Sequence, residues 1–206
     1  MPVLISRATR EELAECARVL ARGFESDPFI DLIVPRGPRR RARLAQLYLV
    51  MLRTDTFRTG VIEVARREPN GAIVGVASWQ APNPRFSLRS ALTQAVLCGL
   101  ILGPRQLMVA RRLLNELGSA HPAQPNWYLE DIAVHPDARS GGIGARLLRH
   151  RLELIDARRP LPCCLEATTP GAQRLYERFG FRPSRWLNIT ADGYPMAMIR
   201  PPGSRD

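Results

Sequence analysis

Residues 127–150, WYLEDIAVHPDARSGGIGARLLRH, carry an apolar strand pattern through Pro136 into three glycines and on into a Leu-studded helix. No other stretch constrains the fold as strongly. Gly141, Gly142 and Gly144 let a second molecule approach the backbone closely. A helix start leaves its first amide N–H groups unpaired and carries partial positive charge. Strand, glycine loop and helix N-terminus in that order make an anion site, most often for phosphate. A strand over 163–167, a helix over 171–179 and strands near 185–189 and 195–199 follow. This order predicts an α/β (α+β) fold with a parallel strand pair inside a mixed sheet.

The first half reads as follows. A short strand over 3–6 precedes TREE, a capping-box pattern at Thr9–Glu12, and Leu13, Ala17, Leu20 and Phe24 continue at helical spacing. Asp27-Pro28 ends that helix, and FIDLIV is a short apolar piece. A helix is expected over 38–56, then strands over 61–67 and 72–80 joined by the hairpin signal Pro69-Asn70-Gly71. One or two helices follow between 88 and 117. With 206 residues and 45% hydrophobic content, the chain is expected to form one domain, 1–206, with that helical segment as its elaboration.

Elimination narrows the phosphate chemistry. All basic residues are Arg, so neither a Schiff-base lysine nor a Walker lysine is available. Ala145-Arg146 follows Gly144 where a P-loop needs GK[ST], and Leu147 stands where a dinucleotide fingerprint needs its third Gly. What remains is R-x-x-G-x-G at Arg139, Gly142 and Gly144, which on its own is either a binding loop or a glycine-rich turn. The net charge of +11 favours anionic partners. Four irregularly spaced Cys and no secretory leader lead us to expect a cytoplasmic location. The apolar run over 91–103 falls short of the ~20 residues that span a bilayer, so no membrane partner is expected.

The loop together with LEATTPGAQRLYERFGF resembles the acetyl-CoA core of the GNAT N-acetyltransferases, most of all the puromycin-acetylating branch. ATREEL near the N-terminus and ASWQAPN after the third strand extend the likeness over nearly the whole chain. The resemblance implies the GNAT fold: a mixed, mostly antiparallel sheet with a splayed parallel pair, flanked by helices. It implies acetyl-CoA as co-substrate and no metal. Ile132, Ala133 and Val134 would line the pantetheine arm, and Arg139, Ser140, Gly141, Gly142, Ile143, Gly144 and Ala145 would wrap the pyrophosphate. Tyr176 takes the place of the family's thioester-side tyrosine. The family's CoA-contacting Asn is replaced by Ala172, with Gln173 as a candidate substitute.

An amine nucleophile also needs a base, because a protonated amine has no lone pair. Glu166 and Glu130 are the candidates, in that order, with a water chain as competitor and Arg-paired structural roles as the plain alternative. The partner implied is a small-molecule amine, with the protein as monomer or homodimer. Cys163-Cys164 lacks a sequence-placed His base, and the pair is expected to split between core and cleft lining. His121, His135 and His150 are expected on surfaces or loops. Trp79, Trp127 and Trp186 are expected in core or pocket wall, and RRRAR at 39–43 as a solvated helix start. Two readings from other classes stay open: an acetyl-CoA sensor without turnover, and a basic nucleic-acid binder. Against the latter, no recognised reader motif is visible.

Overall fold

The computed structural model describes residues 2–84, 87–139 and 141–203. Seven strands form one sheet in the order β1-β2-β3-β4-β5-β7-β6. They are β1 (Val3–Arg7), β2 (Gly60–Arg67), β3 (Ile73–Gln80), β4 (Trp127–Val134), β5 (Cys163–Ala167), β6 (Arg182–Trp186) and β7 (Met196–Arg200). Every neighbouring pair is antiparallel except β4–β5. The mixed sheet with one parallel pair is the architecture the sequence pattern predicts.

One face buries α1 (Leu13–Gly23), α2 (Pro28–Ile33) and α3 (Arg40–Met51), together with α5 (Leu88–Leu102) and α6 (Pro104–Gly118). A π turn over Leu52–Thr56 leads from α3 into the short α4 (Phe57–Thr59). The opposite face carries α7 (Ile143–Arg158) and α8 (Pro170–Glu177). Leu147 and Leu148 are fully buried there, worth about 1.5–3 kcal/mol each by transfer from water. The start of α7 lies hard against the sheet at Gly75, where a Cβ would stand 2.9 Å from Ile143 Cγ2. That close approach fixes where the glycine loop emerges.

Several expectations need correction. The helix after TREE begins only at Leu13. The Thr9 amide donates to Glu12 Oε2 at 2.8 Å, but that carboxylate also takes Arg66 in a fork (2.6 and 2.9 Å) and makes no side-chain N-cap. The same guanidinium lowers the Glu12 pKa to about 2. FIDLIV is not a bare apolar piece but contributes to α2, because Asp27 Oδ1 accepts from the Phe29 and Ile30 amides (2.9 and 3.1 Å) and Pro28 suits the first turn.

The strand expected near 185–189 is β6, three residues earlier. Asn188 adopts φ 52°, and residues 187–189 join a turn with 193–195 instead. Trp186 is neither core nor pocket wall: it is 46% exposed, edge-on to Tyr194. The RRRAR start is only partly solvated, since Arg40 is buried against Asp31 (2.7 Å) and the Glu25 carbonyl (3.0 Å).

Candidate active site

β4 and β5 pair only through Trp127–Cys163 and Tyr128–Cys164, and past that register the two strands part. β4 is also irregular on its other side. Ser78 of β3 faces Asp131 and Trp79 faces Leu129, so Glu130 is an extra residue in a β-bulge. Strict alternation would send Glu130 and Asp131 to opposite faces. With the bulge between them, both line the same cavity.

The open end of the cleft leads into the glycine loop. Gly142 caps α7 at φ 67°, a left-handed conformation that suits glycine. A Cβ at Gly142 would meet nothing within 4 Å, and at Gly144 nothing nearer than Val134 Cγ2 at 3.7 Å, so the loop presents bare backbone. Amides of Ile143, Gly144 and Ala145 begin the helix without intrahelical acceptors. Arg139 anchors the loop through Nη2 to the Gly23 carbonyl at 3.1 Å. Beside it, Gly142, Ala145, Arg149, Arg178, Phe179 and Arg200 line a second cavity of ≈ 500 Å³. Ser140 lies outside the described residues. Of the expected pantetheine residues, Ile132 lines the main cavity, Ala133 packs toward α1, and Val134 packs on the α7 side.

The main cavity, ≈ 640 Å³, lies between the sheet and the α2–α3–α5–α6 layer. Its sheet end gathers Asp27, Glu130, Asp131 and Glu166 with Tyr128 and Tyr176. Two of the carboxylates are fully engaged. Asp27 caps α2 and accepts from Thr168 Oγ1 at 2.6 Å. Glu166 accepts from the Tyr128 hydroxyl at 2.7 Å and pairs with His121 Nε2 at 3.1 Å. The other two are thinly served: Glu130 by Thr56 Oγ1 at 2.6 Å, Asp131 by Ser78 Oγ at 3.3 Å. Burial foremost raises both, with the charge of Asp131 acting on Glu130 and that of Asp27 on Asp131, Glu130 to about 8 and Asp131 to about 7.

Tyr176 lines this cavity from α8 while packing against Phe181, and burial foremost pushes its phenol up, so it is protonated at neutral pH. The cavity thus brings together all three expected catalytic side chains, Tyr176, Glu166 and Glu130. Gln173 is committed elsewhere, to Glu177 and the Tyr194 hydroxyl at 2.8 Å each. Cys163 and Cys164 do not split: both are buried, neither lines the cavity, and burial pushes each thiol to about 12. Several site residues escaped sequence reasoning. Asp131 depends on the bulge, Thr56 on the π turn that presents it, and His121 on a loop folding back against Glu166.

Residues 103–183 match the family model of the acetyltransferase (GNAT) domain. A Corynebacterium glutamicum protein described as histone acetyltransferase HPA2 and related acetyltransferase is 29% identical, with 100% of this chain and 99% of that one covered at a TM-score of 0.73. Arylalkylamine N-acetyltransferase 2 from Aedes aegypti shares the fold at 15% identity, TM-score 0.70, covering 98% and 99%. A GNAT family acetyltransferase from Brucella melitensis, solved with acetyl-CoA, does so at 14%, TM-score 0.53, covering 98% and 90%. Residues 103–183 thus match a GNAT acetyltransferase domain, and that match together with the fold supports an N-acetyltransferase.

Proposed function

We propose that this N-acetyltransferase takes acetyl-CoA as donor and passes the acetyl group directly to the primary amine of a small molecule. The observation that carries this reading is the parted β4–β5 cleft, with the bare glycine loop at one end and a cavity of carboxylates and Tyr176 at the other. Acetyl-CoA supplies the activated acyl group. The amides of 143–145 and the neighbouring Arg side chains suit its phosphates, and the unpaired stretch of β4 suits its pantetheine amides.

An amine arrives as ammonium and needs to lose a proton before it can attack. Glu130 and Asp131 have spare acceptor capacity and raised pKa values, which suits a base working near neutral pH. Glu166 already accepts two bonds, so we rank Glu130 ahead of it as first acceptor and give Glu166 the onward path through His121. Nitrogen then forms its bond to the thioester carbon, the carbon–sulfur bond breaks, and the electron pair leaves on sulfur. Tyr176 donates to that sulfur. A phenol near 10, raised further by burial, does not fully ionise to protonate a thiolate near 8.5, so its help is chiefly a strong hydrogen bond. The balance is R–NH₃⁺ plus thioester giving amide, thiol and one released proton.

Likeness to the puromycin-acetylating branch favours an antibiotic-like or aminoacyl-like amine as acceptor. We place the reaction in a reducing cytoplasm, in keeping with four free cysteines. The test is thiol release from acetyl-CoA against a panel of amines that includes puromycin, with mass spectrometry of the product. Acetylated amine equimolar with released thiol is expected. Tight acetyl-CoA binding with no acylated amine across the panel would point to a sensor instead.

A further inference from the structure

The main cavity has a second half, away from the carboxylates, and its chemistry is different. Phe29, Ile33, Leu47, Leu102, Leu107 and Leu117, from four helices, line it. Arg111 is the one cation among the described lining residues, and it stands exposed on α6. No further carboxylate lines the cavity among the described residues beyond the four at the sheet end. The cavity is therefore polarised: acid at the thioester side, hydrocarbon beyond.

Within the acid end the four carboxylates are unequal. Asp27 and Glu166 have their acceptors filled by the α2 amides, Thr168, Tyr128 and His121. Glu130 and Asp131, side by side across the bulge, have one hydroxyl each. Neither has an Arg partner among the described residues, in a chain whose charge is +11. A buried carboxylate pair without a cation is costly unless it holds a proton or a ligand supplies the cation. A ligand ammonium in the cavity would supply that cation. An additional carboxylate on the ligand would be repelled by the same pair, and a second ammonium would be stranded among the leucines.

We infer that the acceptor is a lipophilic monoamine: one ammonium head, an apolar body, and no free carboxylate. Resting on the acetyl-transfer reading, this excludes free amino acids and polyamines from the efficient substrates. Esters, amides and plain alkyl or aryl amines remain. Discrimination of this kind is strong where the wrong ligand leaves a buried charge unpaired, and weaker where only hydrocarbon is lost.

Two matched pairs test it, read as kcat/KM for thiol release with acetyl-CoA. Phenethylamine and phenylalanine differ by one carboxylate beside the amine. Hexylamine and hexamethylenediamine differ by a second ammonium at the far end. In each pair the first compound is expected to exceed the second at least a hundredfold. Asp131→Asn is expected to narrow the phenethylamine-to-phenylalanine ratio about tenfold while lowering both rates, with acetyl-CoA affinity retained as the check on folding. That ratio is a readout a merely structural Asp131 would leave alone. Ratios within threefold in the wild type, with amines still acetylated, would overturn the inference and leave acetyl transfer standing. Acetyl-CoA binding with no turnover of any of the four would overturn both.

Discussion

The two ends of the β4–β5 cleft are built on the same strands and have opposite chemistry. At the α7 end, bare glycine amides stand beside Arg139, Arg149 and Arg178, while Arg200 is forked onto Asp156. At the other end, Asp27, Glu130, Asp131 and Glu166 crowd one wall of a largely apolar cavity. A net charge of +11 hides this polarity entirely. On the proposed function, the difference follows the two substrates: the polyanionic handle of acetyl-CoA can stay wet, whereas a small acceptor ammonium would be handled away from bulk water. Charge at the first end serves attraction and grip. At the second end, burial is what makes carboxylates into bases near neutral pH.

Obstructing the wet end is expected to have the largest effect. Gly144→Val places a branched side chain where the loop is bare, and its nearest neighbour, Val134 at 3.7 Å from the added Cβ, leaves room for it in the fold. Losing two charge-assisted bonds to phosphate, each about 1.5–3 kcal/mol, should weaken acetyl-CoA binding on the order of a thousandfold by calorimetry. Gly142→Val adds left-handed strain of about 1–2 kcal/mol, so it should also lower Tm. Unchanged affinity in both folded variants would break the comparison at that end.

Next in size is Tyr176→Phe, which removes the hydroxyl and keeps the packing on Phe181. A loss of about a hundredfold is expected, on kcat more than KM, since the bond strengthens as charge grows on sulfur. A normal kcat on a confirmed acceptor would leave the tyrosine as packing alone.

The dry end is sharpened by pH. With Glu130 raised to about 8 and Asp131 to about 7, the acid limb of kcat/KM should have its midpoint between those values. Glu130→Gln should lower the rate about tenfold near neutrality and move that limb toward lower pH. Stability gives an independent readout. Between an unfolded-state pKa of 4.5 and about 8 in the fold, the unfolded chain releases the Glu130 proton first. Stability should fall with rising pH through that window and level off above it. The Gln variant should lose that decline, as followed by urea titration at several pH values.

Much of the wet end was legible in the sequence, because a strand, three glycines and a helix each leave a local pattern. The strand pair left a local pattern too, whereas Tyr176, Glu166 and Glu130 were singled out through the likeness to the GNAT motif, and the fold brings the three to one cavity. The rest of the dry end was not legible, and the reasons are specific. A bulge at Glu130 and a π turn at Leu52–Thr56 each insert one residue into a periodic pattern, and periodicity cannot show where the count slips. Asp131 and Thr56 were invisible for that reason. His121 reaches Glu166 across 45 residues of chain, a tertiary contact with no local signature.

The smallest effect is expected where the cleft is shut. Cys163 and Cys164 sit on β5 at the two positions still paired with β4, so the backbone gap proposed to admit a pantetheine arm lies beyond them. Both side chains are buried, and Cys164 Sγ points to Asn126 Oδ1 at 2.7 Å rather than into the cavity. Burial pushes each thiol to about 12, so hardly any thiolate exists at neutral pH to attack a thioester. Replacing both with Ser should leave kcat within about twofold. Tm should fall, because a buried hydroxyl without a full partner costs about 1–3 kcal/mol. Intact-protein mass spectrometry after acetyl-CoA alone should show no added acetyl group, and initial rates should intersect as a ternary complex requires. Parallel-line kinetics with an acetyl group trapped on either cysteine would mean that the shut end opens during turnover, and the contrast between the two ends would have to be redrawn around a covalent intermediate.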